Sequence, residues 1–437
     1  MLFLNTYDIR GGAGRGAYRH HKALQRVGVE SRMLVQHKHT TDESVICAGT
    51  GPRERLLALF RNLDLLPLLA YPKFNRVPWA VGWLNNKVAR KVEKDSPDIV
   101  HLHWVGHGFV PIRALAEFNR PIVWQLADPW AFTGGCHYPQ GCLRYRESCG
   151  QCPQLASKRE NDLSRWTWKQ KKRYWEKIDL TIVTQSRWMR DCAKSSSLFR
   201  GRRVQIIPAG LDTRIFQPIH RKSAREAENL PLEKKIILSG ATHSTRDPRK
   251  GFTYLIQALN SLARNGWRHE AEVLVFGART PKPLPDVGLK TTYLGHVSDE
   301  RLTRLYSGAD VFVAPAREEA FGQTVLEALS CGTPCAAFRV GGIPDMVEHG
   351  VNGYLAKPFD PEDLAKAVSW IIEDPDRNRS LSEQARKTVE RDFDIEKVAR
   401  RYTSIYQEVL QGHRRSPPTG QPTKLAGSVM ESRDSYL

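Results

Sequence analysis

Glu319 and Glu327 stand eight positions apart around the run Ala-Phe321-Gly322-Gln323-Thr-Val-Leu, and a basic loop, Thr245-Arg246-Asp-Pro-Arg249-Lys250-Gly251, precedes them in the chain. An ionised carboxylate accepts hydrogen bonds from two vicinal hydroxyls, the pattern a sugar ring or a ribose presents. Lys250 at a helix start, with Gly251 after it and two arginines before it, has the make-up of a diphosphate clamp. Helices expected behind Gly322 and Gly342 would aim unpaired N–H groups and a positive dipole end at the same place. The chemistry these residues suit is the holding of a diphosphate between two hydroxyl-bearing groups.

The surrounding sequence says what must position them. Residues 311–314 are a short apolar run stopped by Pro315, as expected of a parallel strand buried on both faces. Residues 323–330 have helix-forming composition and end at Cys331-Gly332, with Gly332 placed as a C-cap. Residues 334–338 read as a second strand, and Gly341-Gly342 leads into a second helix expected through Glu348. Two strand–loop–helix units side by side put their loops at the carboxyl edge of a parallel sheet, where open α/β folds bind ligands. Further strands are expected at 2–5, 31–35, 99–104, 121–126, 180–184, 204–207, 235–240 and 272–276. The first is followed by Gly11-Gly12-Ala-Gly14-Arg15-Gly16, whose alternating glycines are not a dinucleotide fingerprint but open a helix that can take a phosphate or sugar.

Glu319-Ala-Phe-Gly-Gln-Thr-Val-Leu-Glu327, with Gly341-Gly342-Ile-Pro-Asp345 downstream, resembles the retaining glycosyltransferases of family GT4, the group 1 glycosyl transferases of bacterial polysaccharide biosynthesis. The resemblance implies an α/β protein of GT-B fold, two Rossmann-like doubly wound domains facing a central cleft. It implies a nucleotide diphosphate sugar as donor, a saccharide or lipid-linked acceptor, and no metal or other cofactor for catalysis. By the same resemblance Glu327 holds the nucleotide ribose and Glu319 the donor sugar hydroxyls, within a loop that includes Phe321, Gly322 and Gln323. Lys250 meets the donor phosphates together with Arg246 or Arg249, the longer loop leaving open which. His296 and Val297 belong to the segment that meets the nucleobase, and Gly12 faces donor phosphates and acceptor across the cleft. Asp128 would orient an acceptor hydroxyl or act as a base; relatives carry His-Asp here, whereas this chain has Ala127-Asp128. Ala127 keeps two other readings open, a sugar-nucleotide-binding protein without turnover and a GT-B sugar-nucleotide epimerase.

Four of the eight cysteines fall between residues 136 and 152, as Cys136-x5-Cys142-x6-Cys149-x2-Cys152. In a reducing compartment four close thiolates suit a structural tetrahedral zinc, with a redox pair or unliganded thiols as alternatives. Residues 1–210 carry 34 Lys+Arg against 17 Asp+Glu, a net of +17 out of the +19 of the whole chain. A field so one-sided suits an anionic partner, and an anionic membrane surface fits better than nucleic acid, for which no module is visible. The broken apolar stretch 53–74 and the aromatic, cationic helix 162–177 are each read as a membrane-surface element or as packing. No leader or spanning run is seen, so a cytoplasmic protein, peripheral at the inner face of the plasma membrane, is expected. The expected division is an acceptor domain at 1–212 with a cysteine-rich insert at 134–154, a nucleotide-sugar domain at 213–394, a crossing helix at 395–411 and a disordered tail at 412–437.

Overall fold

The structure is a computed structural model that describes residues 1–49, 61–75, 77–277, 285 and 287–415. Two parallel sheets organise it. The first has seven strands in the order β3-β2-β1-β4-β5-β6-β7, formed by Leu2–Tyr7, Arg32–His37, Val45–Cys47, Val100–Leu102, Ile122–Leu126, Leu180–Thr184 and Val204–Ile206 for β1 to β7. The second has six in the order β10-β9-β8-β11-β12-β13, from Lys235–Gly240, Ala271–Phe276, Lys290–Gly295, Val311–Ala314, Cys335–Phe338 and Gly353–Ala356 for β8 to β13. In both sheets the order reverses beside the first strand, between β1 and β4 and between β8 and β11, which opens a crevice at the carboxyl ends. The central strands are apolar on both faces because helices cover both; β5 and β9 are buried along their whole length.

The two domains are tied by two adjacent crossings. Leu211 N–H donates to Phe393 O at 2.8 Å and Ile395 N–H to Leu211 O at 3.0 Å. The last helix, Ile395–Arg415, then lies on the first domain with Val398, Tyr402, Ile405 and Tyr406 buried against Phe3, Ala17 and Leu24. It runs four residues beyond residue 411, so the expected tail does not begin at 412; residues 416–437 lie outside the described residues.

One expectation changes, and two readings left open narrow. Behind Gly342 there is one 3-10 turn, Ile343–Asp345, in place of a helix through Glu348. Residues 61–70 of the leucine-rich stretch form 3-10 turns, with Asp64 buried and accepting the N–H groups of Val81 and Gly82; residues 53–60 lie outside the described residues. The helix Leu163–Trp175 packs inward: Trp168 donates to Ser197 Oγ and Trp175 to Ile112 O, while Trp166 remains exposed. No helix among the described residues is long and apolar enough to cross a membrane.

Candidate active site in the cleft between the domains

The crevices of the two sheets face one another across a cavity of ≈ 550 Å³. Lys250 is placed by the turn Pro248–Lys250, which ends at Gly251 with φ +70; a Cβ there would stand 1.8 Å from Pro315 O, so only glycine lets the loop close on β11. Lys250 Nζ donates to Glu319 Oε2 at 2.5 Å. Glu319 in turn is braced by the Gly-Gly loop, since Gly342 N–H donates to Glu319 O at 2.9 Å. Gly341 (φ +53) lies so near that a Cβ would come within 1.9 Å of that carbonyl. Asp345 reaches the other domain, accepting Arg187 N–H at 2.6 Å and Arg187 Nε at 2.8 Å. The Gly-Gly-Ile-Pro-Asp run is thus a brace between Glu319 and the facing domain, while the helices Gln323–Ser330 and Phe252–Leu262 of this domain both begin without a side-chain cap. From the opposite wall, Gly12 lies in the first turn of the helix Gly11–Arg26, which has no side-chain cap.

Gly12, Asp128, Arg249, Lys250, Glu319, Phe321, Gly322, Gln323 and Glu327 all line this cavity. Arg246 does not; it is exposed outside it. Arg249 takes the inner position because Asp247 Oδ2 accepts from its Nη2 at 2.5 Å and its guanidinium lies 3.8 Å from the Tyr138 ring. His296 is exposed and Val297 is buried in the apolar core, and neither lines the cavity.

Several residues that the sequence did not single out complete the site. Arg19 donates to Glu327 Oε1 at 3.0 Å and to Asp299 Oδ2 at 2.7 Å, and Arg15 donates to Asp299 at 2.8 Å. Glu327 is 2% exposed and also accepts from Tyr306 Oη. The signal was the spacing: Arg15 and Arg19 are one helical turn apart on the helix behind the glycine loop. Asp128 accepts from Trp104 Nε1 and bonds His137 Nδ1, both at 2.7 Å, and accepts the Trp130 N–H at 2.9 Å. Burial works against its charge, but His137 beside it and these hydrogen bonds outweigh that and hold the carboxyl below the usual carboxylate range. An imidazole therefore serves Asp128 although its chain neighbour is Ala127; His137 sits behind the carboxylate and does not line the cavity.

The cysteine-rich insert carries Tyr138 to Arg249 and Gln140 to the other domain, where Gln140 N–H donates to Glu318 Oε2 at 3.2 Å. Cys136, Cys142, Cys149 and Cys152 line one small apolar cavity. They do not, however, form a group of three with sulfurs within 4.8 Å of one another, the spacing asked of a shared ion. The insert is held by its own bonds instead, Cys152 N–H to Asp162 at 2.8 Å and Gly150 N–H to Ser164 Oγ at 2.9 Å. Burial pushes the Cys149 thiol up to about 12 and raises Cys136 and Cys152 as well, which favours the protonated thiol.

Two doubly wound domains with their carboxyl edges turned to one cleft are the GT-B architecture. Solved structures share it: sucrose-phosphate synthase from Thermosynechococcus elongatus has a TM-score of 0.68 at 21% identity, covering 94% of this chain and 99% of that one. The HepE protein of Anabaena, solved in complex with UDP-glucose, has a TM-score of 0.61 at 17% identity over 93% and 99%. Residues 220–388 match the family model for glycosyl transferases group 1 and residues 10–215 that for glycosyltransferase family 4. The chain belongs to this family of group 1, family 4 glycosyltransferases. Among curated relatives, D-inositol 3-phosphate glycosyltransferase of Saccharomonospora viridis is 31% identical over 225 residues, 48% of this chain and 51% of that protein. The chain thus spans about half the length of the curated relatives it matches first.

Proposed function

We propose that the protein is a retaining glycosyltransferase that moves a sugar from a nucleotide diphosphate sugar to a saccharide or lipid-linked acceptor in surface-polysaccharide assembly. One observation carries the reading: Lys250, Glu319 and Glu327 of the second domain line the same cavity as Gly12 and Asp128 of the first. Lys250 and Arg249, with the N–H groups behind Gly322, hold the diphosphate as its charge grows in the transition state. Glu319 takes the donor hydroxyls and Glu327 the ribose. The bond from the sugar's anomeric carbon to the phosphate oxygen breaks as the acceptor oxygen bonds to the same face, and the acceptor's proton passes to the departing phosphate. Asp128 orients the acceptor hydroxyl. The domain division at residue 212 follows the same assignment of acceptor to the first domain and donor to the second.

A panel of nucleoside diphosphates and their sugars, read by thermal shift, identifies the donor through the rise in midpoint it causes. Transfer with that donor to glycan and lipid-linked acceptors, with the anomeric configuration of the product read by NMR, tests the reaction. Inverted product or no transfer refutes it. Ala127 favours a second reading, a sugar-nucleotide-binding protein; tight donor binding with no turnover over any acceptor supports it. The charge of residues 1–210 supports work at an anionic membrane surface, and failure to sediment with anionic liposomes at low salt removes that part.

A further inference from the structure

At the floor of the cleft, on the first domain's side, three imidazoles meet. His20 comes from the helix Gly11–Arg26, His101 from β4, and His103 from just beyond it on the same face, two positions on. His101 is fully buried, and His103 and His20 are 5% and 6% exposed. In all three the Nε2 atom is buried without a hydrogen-bond partner. One ring nitrogen from each lies within 4.8 Å of those of the other two. The ring centroids are 5.4 Å (His20–His101), 5.5 Å (His20–His103) and 4.7 Å (His101–His103) apart. Beside them Tyr402 Oη is also buried without a hydrogen-bond partner, and Gln125 faces His20. Buried polar atoms almost always find partners, so ring nitrogens gathered in one place without well-aligned ones point to an occupant.

We propose that His20, His101 and His103 form a three-histidine site for a borderline divalent cation of the zinc class. Three neutral imidazoles with an open fourth position are a known ligand set for such an ion. His101 also has the outer partner a ligating histidine needs, since its Nδ1 hydrogen-bonds Tyr406 Oη at 2.6 Å. Zn–N bonds of ~2.0–2.1 Å bring ligand nitrogens to roughly 3.3 Å apart, so His101 and His103, stacked here at 24° between planes, turn toward the ion as it binds. His20, His103, Gln125 and Tyr402 all line the cleft, so the fourth position opens toward it, where a water or a substrate oxygen completes the coordination. Through Tyr406 the ion would also fix the helix Ile395–Arg415 to the first domain. This inference is independent of the reaction proposed above.

The test uses the full chain, stripped with a chelator and titrated with Zn²⁺ and Co²⁺. The expected results are one ion per chain by elemental analysis and visible d–d bands from cobalt without sulfur-to-cobalt charge transfer. His20→Gln and His103→Gln should each weaken binding at least tenfold, whereas Cys142→Ser with Cys149→Ser should leave it unchanged. Chelation should lower the midpoint of wild type and leave that of the double variant His20→Gln/His103→Gln unmoved. The proposal is overturned if stripped wild type shows no cobalt bands at saturating metal. It is equally overturned by a sulfur charge-transfer band, or by an ion lost with the cysteines and kept without the histidines. Because the wild-type spectrum alone separates nitrogen from sulfur ligation, a variant that fails to fold does not shield the idea.

Discussion

Lys250 and Glu319 are 2.5 Å apart, with side chains 20% and 15% exposed, and on the proposed function a diphosphate sugar would divide them. The phosphate takes the cation and the sugar hydroxyls take the carboxylate. Lys250→Ala removes a charge-assisted hydrogen bond to phosphate worth ~1.5–3 kcal/mol, which corresponds to roughly 10- to 150-fold weaker binding of the nucleoside diphosphate. Glu319→Gln behaves differently. It takes away the charge competing for Lys250, and a partly exposed pair contributes at most about 1 kcal/mol. Affinity for the nucleoside diphosphate should therefore hold or rise by less than about tenfold. What Glu319→Gln loses is the added affinity of the sugar-bearing nucleotide over the bare diphosphate. Isothermal titration of both ligands into wild type and the two variants, at one ionic strength and with melting curves as a control, reads all three numbers. If Lys250→Ala binds the diphosphate as wild type does, or if both variants weaken it equally, the division of labour is wrong.

Arg19→Ala leaves Glu327 buried without its cation and should cost ~3–5 kcal/mol in urea unfolding, while adding Glu327→Gln should return a large part of it. His137→Phe removes the imidazole and the hydrogen bond that offset burial at Asp128, so the acid limb of the kcat/KM profile should move to higher pH; an unmoved limb denies Asp128 a role in turnover. His21 is buried between Ser31 and Ser44, and burial lowers its pKa from 6.5 to about 4. Below pH 6.5 the unfolded chain takes up a proton that the folded one refuses, so His21 should remove about 1.4 kcal/mol of stability per pH unit down to about pH 4. His21→Asn should show a slope shallower by one proton over that window.

What the sequence revealed follows burial. Leu180–Thr184, Val311–Ala314 and the helix Gln323–Ser330 stand where their composition placed them, because an interior parallel strand must be apolar on both faces and a covered helix on one. Three strands escaped notice, Val45–Cys47, Lys290–Gly295 and Gly353–Ala356, and all three lie at sheet edges; the first and last are only three and four residues long, and the middle one opens on polar Lys-Thr-Thr. The turn after Gly342 was read as a helix because nothing local says that Asp345 belongs to Arg187. Contacts across the cleft have the same character. Arg249 rather than Arg246 lines the cavity through Tyr138, and Arg19 meets Glu327, pairings that only the folded arrangement of two domains creates. The four cysteines show the converse, since their spacing suggested ligands while a close-set donor group formed from one histidine on a helix and two at the end of a strand.

The central claim is that this cleft seats a nucleotide diphosphate on Lys250 with its ribose at Glu327. A crystal structure with the nucleoside diphosphate that most raises the melting midpoint addresses it directly. Phosphate oxygens within hydrogen-bond reach of Lys250 Nζ and ribose hydroxyls on the Glu327 carboxylate, with Arg19 drawn aside or sharing it, are the expected result. A nucleotide bound elsewhere, with the Lys250–Glu319 and Arg19–Glu327 pairs undisturbed, would contradict it.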